Sequence, residues 1–194
     1  MRMNEYLSAY TTVLQQKVDQ AQYTDAAGQV IASGDALEHV LSAFRRAHEA
    51  GGRMLLIGNG GSAAIASHQA FDYWKNGKMR AMSFNDSSLL TGGANDFGYE
   101  HAFEETLKMH ARKEDVLVAI SSSGQSKNII NAATAARQMG LMVVTMSAFK
   151  SDNPLRSCGD VNVYLATDIY GHAELGHETI LHTILDFSLE IQPR

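Results

Sequence analysis

The chain has little of several things that define whole classes of protein. Its 194 residues include one cysteine, Cys158, and two prolines, with no block rich in lysine or arginine and a formal net charge of −5. One cysteine excludes an intrachain disulfide framework and suits a reducing compartment. A chain without a concentrated basic surface is not expected to bind nucleic acid.

Long apolar runs are also missing. The polar segment Met1–Glu5 leads into no stretch that resembles a signal peptide or a membrane span. We therefore expect a soluble cytoplasmic protein without a membrane anchor. The 45% hydrophobic content is enough for one domain with a substantial core.

Helix and strand patterns alternate along most of the chain. The first fifty residues are predicted to be helical, with a capping box formed by Asp35 and Glu38. We interpret residues 1–34 as a helical arm that packs on another subunit or back on its own domain, and residues 35–194 as the domain. Apolar runs predict strands at 53–57, 79–84, 115–120, 141–146 and 161–165. Helices are predicted at 61–75, within 86–94, and at 99–111, 126–139 and 172–190. This order predicts a parallel sheet covered by helices on both faces.

Two turns of small residues each follow a buried strand. Gly58–Ala64 follows the run Met54–Ile57, and Ser121–Ser126 follows Val116–Ile120. Free backbone N–H groups at the start of a helix attract anions, and ligands of parallel sheets bind at the carboxyl ends of the strands. Serine and glycine also cap helices and form tight turns, so the purely structural interpretation stays open. Neither turn has the spacing of a nucleotide-binding motif, which favours a sugar phosphate as the ligand.

Histidine and carboxylate residues recur on two predicted helices. His68 and Asp72 are four residues apart, so they share one helix face, and Glu174, Glu178 and His182 lie along one stripe of the last helix. Imidazole and carboxylate groups suit a divalent metal such as zinc. A simple contact on the helix surface is the competing interpretation of the His68–Asp72 pair.

Four segments together resemble the SIS (sugar isomerase) domain family and, within it, the phosphoheptose isomerases. They are Gly58–Ala64, Asn95–Glu100, Ile120–Ser126 and the last, histidine-bearing helix. The resemblance spans residues 35 to 187. It implies a flavodoxin-like three-layer α-β-α sandwich with a parallel sheet, and a homotetramer with active sites between subunits.

The resemblance also implies the residues of a site. Asp72 is the expected base and His182 the partner acid or base in an enediol proton transfer. Zinc is the expected cofactor, which would polarise the substrate carbonyl. Its expected ligands are His68, Asp72, Glu174 and His182. The expected substrate-binding residues are Asn59, Gly60, Gly61, Ser62, Asn85, Asp86, Ser87, Ser121, Ser122, Ser123, Ser126 and Glu174.

The implied reaction is the interconversion of sedoheptulose 7-phosphate and D-glycero-D-manno-heptose 7-phosphate. The chain departs from the family pattern at Asp72, where glutamate is usual, and at Glu174, where glutamine is usual. Two other functions stay open. One is a non-catalytic module that binds a sugar phosphate for regulation or scaffolding, and the other is epimerisation of a related sugar phosphate.

Overall fold

A seven-stranded sheet forms the centre of the molecule in the computed structural model, which describes residues 1–190. Along the sheet the strands lie in the order β2-β1-β7-β6-β5-β3-β4. The strands are β1 (Gln22–Asp25), β2 (Val30–Ile31), β3 (Met54–Ile57), β4 (Ala81–Ser83), β5 (Val116–Ser121), β6 (Met142–Ser147) and β7 (Val161–Tyr164). Strands β3 to β7 pair in parallel. The expected parallel sheet is confirmed for these five strands.

Helices cover both faces of the sheet. They are α1 (Met3–Asp19), α2 (Ser33–Glu49), α3 (Gly61–Lys75), α4 (Ser87–Phe97), α5 (Ala102–His110), α6 (Lys127–Gln138) and α7 (Tyr170–Ser188). Short 3-10 helices span Tyr99–His101 and Pro154–Ser157. Residues of α2, α3 and α7 form the core on one face, and residues of α5 and α6 form it on the other. The predicted three-layer α-β-α sandwich is therefore confirmed.

Two hydrophobic cores arise because side chains alternate along a strand. Met54 and Leu56 of β3 face the core under α3 and α7, whereas Leu55 and Ile57 face the core under α5 and α6. All four are buried. An unbroken apolar run is what a strand needs when helices cover both of its faces.

The helical interpretation of the first fifty residues is wrong between α1 and α2. Strands β1 and β2 form a hairpin, and β1 pairs antiparallel with β7 at the edge of the sheet. The Asp25 carboxylate accepts hydrogen bonds from the N–H groups of Ala27 and Gln29, and Gly28 has a φ of 79°. A tight turn of this kind excludes a continuing helix.

The predicted capping box at Asp35 is also wrong. Helix α2 begins at Ser33 with Ala32 as its N-cap and has no side-chain cap. Asp35 therefore lies inside the first helical turn, where the positive end of the helix dipole stabilises its negative charge.

Helix α1 packs against α7 of its own chain but keeps much of its surface exposed. The Tyr10 ring lies 4.2 Å, centroid to centroid, from the His172 ring. None of the α1 residues is buried, and Met3, Tyr6 and Leu7 are exposed. The boundary at residue 34 stays a prediction, and residues 191–194 of the predicted domain lie outside the described part. None of the described helices has the length and apolar character needed to cross a membrane.

The sheet places the two small-residue turns side by side. β3 and β5 are neighbours, with Ile57 paired to Ala119, so both strands end at the same edge of the sheet. Helix α3 begins at this edge, and α7 packs beside α3.

His177 on α7 is buried against the end of β6, and its burial makes folding sensitive to pH. Its Nε2 atom donates a hydrogen bond to the Ser147 carbonyl oxygen at 3.1 Å, and burial lowers the pKa of the imidazole from 6.5 to about 4. The unfolded chain therefore binds a proton below pH 6.5, whereas the folded chain binds it only near pH 4. The free energy of unfolding falls as the pH falls through this window.

We predict that His177→Gln makes the free energy of unfolding less dependent on pH between about 4 and 6.5, because glutamine does not titrate. The slope should decrease by up to about 1.4 kcal/mol per pH unit. Urea unfolding at a series of pH values measures the slope. The exposed His39, changed to Gln, is the matched control, and equal slopes in His177→Gln and the unchanged protein would contradict the prediction.

Candidate active site

The two small-residue turns form one cavity of about 240 Å³ at the carboxyl edge of the sheet. We call it the anion cradle. It is lined by Asn59, Gly60, Gly61, Ser62, Ile120, Ser121, Ser122, Ser123, Ser126, Tyr170 and Glu174. The structure thus brings together all the predicted cradle residues of both turns. Tyr170 and Ile120 were not predicted to line it.

The first turn requires glycine for two reasons. Gly60 has a φ of 55°, and a Cβ atom at Gly58 would collide with the backbone of Ser62. The tight turn brings the chain directly from β3 into α3, whose first N–H groups have no partner within the helix. These N–H groups and the positive end of the helix dipole favour an anion at Gly61 and Ser62.

The second turn supplies hydroxyl groups. Gly124 has a φ of 63° and lies against the side chain of Asn153, where no Cβ atom would fit. Ser121 Oγ donates to Ser126 Oγ at 3.2 Å, and the buried Ser122 Oγ has no hydrogen-bond partner among the described residues. Ser123 and Ser126 line the cavity, so their hydroxyls can donate to a ligand oxygen there.

A hydrogen-bonded amide pair holds the first turn in place. Asn59 Nδ2 donates to Asn128 Oδ1, and Asn128 Nδ2 donates to Asn59 Oδ1, both at 2.9 Å. The Tyr99 hydroxyl also donates to Asn59 Oδ1, at 2.7 Å. The side chain of Asn59 therefore links β3, α6 and the 3-10 helix. The sequence interpretation missed Asn128, whose partner is 69 residues away in the chain.

A carboxylate also lies in the cradle. Glu174, in the first turns of α7, lines the cavity, and a Cβ atom at Gly61 would collide with its carboxylate. The negative charge lies against the start of α3, where the helix dipole stabilises it. The same charge opposes the entry of a dianion.

Three predicted substrate-binding residues have structural contacts outside the cradle lining. Asn85 Nδ2 donates to the Ala63 carbonyl and to Ser67 Oγ, each at 2.8 Å. The Asp86 carboxylate caps α4 by accepting from the N–H groups of Ser88 and Leu89, and Ser87 begins that helix. Their contact with a sugar chain stays a prediction.

A second group lies further along the same two helices. His68 Nε2 is 3.4 Å from Asp72 Oδ2, and His182 Nδ1 is 3.9 Å from the same oxygen. One ligand atom from each of these three residues lies within 4.8 Å of the other two. Nitrogen and oxygen donors at this separation fit a divalent metal ion. Glu174 is not in this group, so its role as a metal ligand stays a prediction.

Glu178 joins the group, although it was predicted only to share a stripe of α7 with Glu174 and His182 and was not among the expected site residues. Its Oε1 atom lies 2.7 Å from His68 Nδ1 and 3.2 Å from His182 Nε2. We call His68, Asp72, Glu178 and His182 the histidine cluster. The four-residue spacing of 174, 178 and 182 was the available signal, because it places three polar side chains on one stripe of α7.

The cradle and the histidine cluster lie at two levels of one helix pair. Glu174 is beside Gly61, Glu178 is beside His68, and His182 is beside Asp72, so α7 runs parallel to α3. His68 is six positions after Ser62, which is about 9 Å along the helix axis. A small molecule with its anionic group in the cradle can therefore extend toward the cluster.

Comparisons with known proteins identify the family and the fold. A sequence model of the SIS domain matches residues 6–148. The chain is 31% identical over 157 residues to a phosphoheptose isomerase of Citrifermentans bemidjiense, covering 78% of this chain and 81% of the relative. It is 35% identical over 142 residues to the phosphoheptose isomerase of Geotalea uraniireducens, covering 70% and 75%. The structure of the phosphoheptose isomerase GmhA from Neisseria gonorrhoeae is similar with a TM-score of 0.79 and 25% identity, covering 98% and 100%.

We predict that Asn128→Ala loosens the first turn, because Asn59 loses its amide partner. The expected loss in the free energy of unfolding is about 1–3 kcal/mol. Binding of inorganic phosphate, measured by calorimetry, should weaken as well. Asn131→Ala is the matched control, since Asn131 lies on the same helix and bonds to the exposed Glu100 carbonyl. Unchanged phosphate binding and stability in Asn128→Ala would contradict the role given to the amide pair.

Proposed function

The chain belongs to the SIS domain family with phosphoheptose isomerases among its relatives, and we propose that it interconverts the ketose and aldose forms of a sugar phosphate. The proposed substrate is sedoheptulose 7-phosphate and the proposed product is D-glycero-D-manno-heptose 7-phosphate. The observation that supports the proposal is that the anion cradle lies at the start of α3, and the histidine cluster lies further along α3 and α7.

The cradle supports binding of the phosphate group. Backbone N–H groups at Gly61 and Ser62 and the hydroxyls of Ser121, Ser123 and Ser126 can donate to its oxygens. These donors are neutral, so they bind the dianion without removing its charge.

The histidine cluster supports proton transfer. Asp72 is the proposed base, which takes a proton from the carbon beside the carbonyl, so that the electrons of the broken C–H bond form the enediol double bond. His182 is the proposed acid or base that gives a proton to the carbonyl oxygen and takes one from the adjacent hydroxyl. The proton is then returned to the neighbouring carbon, and the aldose results.

The donor set of His68, Asp72 and His182 fits zinc, because two imidazole nitrogens and one carboxylate oxygen converge. A bound zinc ion would polarise the substrate carbonyl and stabilise the charge that develops on its oxygen. Glu174, the fourth expected ligand, lies against Gly61 at the other end of the helix pair, which supports its proposed place in the cradle. Its role as a metal ligand stays a prediction.

We further propose a homotetramer with active sites between subunits. The support is the exposed apolar surface of α1, which includes Met3, Tyr6 and Leu7, and the exposed Tyr170 beside the cradle. Exposed apolar residues that cluster on one element are typical of protein interfaces.

We predict that incubation with sedoheptulose 7-phosphate gives an aldose product detectable by NMR, and that strong chelators abolish it. Asp72→Asn and His182→Ala should each reduce turnover by about 10²- to 10⁴-fold, because a proton-transfer group is lost. Circular dichroism should show that both variants stay folded.

The control for this assay is Glu105→Gln, which removes a surface carboxylate paired with Lys108. It should keep full activity. Full turnover in both site variants would contradict their roles, and binding of sedoheptulose 7-phosphate without any product would indicate a non-catalytic sugar-phosphate module. A new sugar phosphate that is still a ketose would indicate epimerisation.

We also predict that Glu174→Gln binds the sugar phosphate more tightly, because one negative charge beside the dianion is removed. The expected decrease in Kd is about tenfold, or about 1.4 kcal/mol. Calorimetry at low and high salt measures it, and the difference should shrink as salt screens the charges. Glu105→Gln should leave Kd unchanged. A weaker binding by Glu174→Gln would mean that the carboxylate helps to hold the ligand.

A further inference from the structure

Three side chains converge on one oxygen atom of Glu178. Its Oε1 atom lies 2.7 Å from His68 Nδ1, 3.2 Å from His182 Nε2 and 2.8 Å from Gln69 Nε2. The imidazole rings of His68 and His182 are 5.3 Å apart, centroid to centroid. Glu178 thus touches both histidines of the cluster at once.

These distances indicate which ring nitrogen carries hydrogen. An ionised carboxylate only accepts hydrogen bonds, and each imidazole lies closer to Glu178, at 2.7 and 3.2 Å, than to Asp72, at 3.4 and 3.9 Å. The nitrogen beside Glu178 is therefore the expected N–H donor. The donors are then Nδ1 of His68 and Nε2 of His182. In a neutral imidazole the other nitrogen has a free lone pair. The free nitrogens are therefore Nε2 of His68 and Nδ1 of His182.

The two free nitrogens are those that face Asp72. His68 Nε2 is 3.4 Å and His182 Nδ1 is 3.9 Å from Asp72 Oδ2. We propose that Glu178 is a positioning residue, which holds His68 and His182 in opposite tautomers so that both lone pairs meet the Asp72 carboxylate at one metal-binding point. The proposal rests on the metal role of His68, Asp72 and His182 given above.

Glu178 is itself held in place. Gln69 is fully buried in α3, and its amide donates to the same Oε1 atom that the imidazoles contact. Glu178 therefore stays on the far side of both rings from Asp72. A carboxylate that orients ligand imidazoles through their second nitrogen is a common arrangement in metal sites, and its loss weakens metal binding by about 10- to 100-fold.

We predict that in Glu178→Ala neither His68 nor His182 is held in a single tautomer. Nitrogen NMR of the metal-free protein, at a mildly alkaline pH where free imidazole is neutral, reports which ring nitrogen is protonated. The unchanged protein should show the Nδ1–H form of His68 and the Nε2–H form of His182, assigned with His68→Gln and His182→Gln. Glu178→Ala should show mixtures of both forms. Glu178→Gln should restore them in part, because its amide oxygen still accepts.

Metal binding gives the second readout. Affinity for Co²⁺, measured by competition with a coloured chelator, should fall by about 10- to 100-fold in Glu178→Ala and by less in Glu178→Gln. The visible spectrum of the saturated Co²⁺ protein should keep its intensity, because no ligand is lost. Glu105→Ala is the control for the removal of a glutamate side chain. Thermal unfolding checks that each variant is folded.

Two results would overturn the proposal. Unchanged tautomers in Glu178→Ala would show that the carboxylate does not orient the rings, and a changed Co²⁺ spectrum would show that Glu178 is itself a ligand. Neither readout needs turnover. If the protein fails to isomerise sugar phosphates, the tautomer and metal results still decide the role of Glu178, so the two failures are distinguishable.

Discussion

The parallel packing of α3 against α7 is the constraint on which the candidate site depends. Helix α3 begins at the carboxyl edge of the sheet because only the short turn Gly58–Gly60 connects it to the end of β3. The first turns of α7 lie beside it, so the two helices present residues at matching levels. An anion site at the helix start and a histidine cluster two turns further along are the result. Neither helix alone carries either site in full.

Charge distinguishes the two levels of the site. The cradle has backbone N–H groups, serine hydroxyls and the single carboxylate of Glu174. The cluster has two imidazoles and the carboxylates of Asp72 and Glu178. The proposed phosphate site is the first level and the proposed cation site is the second, because the two levels offer donors and acceptors respectively. The carboxylate of Glu174 is the exception to this division, because it adds a negative charge to the first level.

Much of the fold was predicted from local patterns in the sequence. The apolar runs before Gly58 and Ser121 identified β3 and β5, and the helix at 61–75 was predicted with the bounds that the structure has. The fold and the pairing of the two turns followed from the rule that parallel strands end at one edge. The hairpin of β1 and β2 was missed, since strands of four and two residues are too short to show a period and their pairing with β7 is distant in the chain.

The sequence by itself determined the sandwich, the positions of the two turns and the residue types of the site, because strand alternation and glycine requirements are local. Only the tertiary structure decided which polar residues meet. Asn128 reaches Asn59 from α6, and Glu178 reaches His68 from α7, across separations of 69 and 110 residues. Glu174 and Glu178 share one stripe of α7 but serve different levels, because their neighbours on α3 differ. Those contacts depend on how the helices are placed against each other on the sheet, and the spacing within one helix does not contain that information.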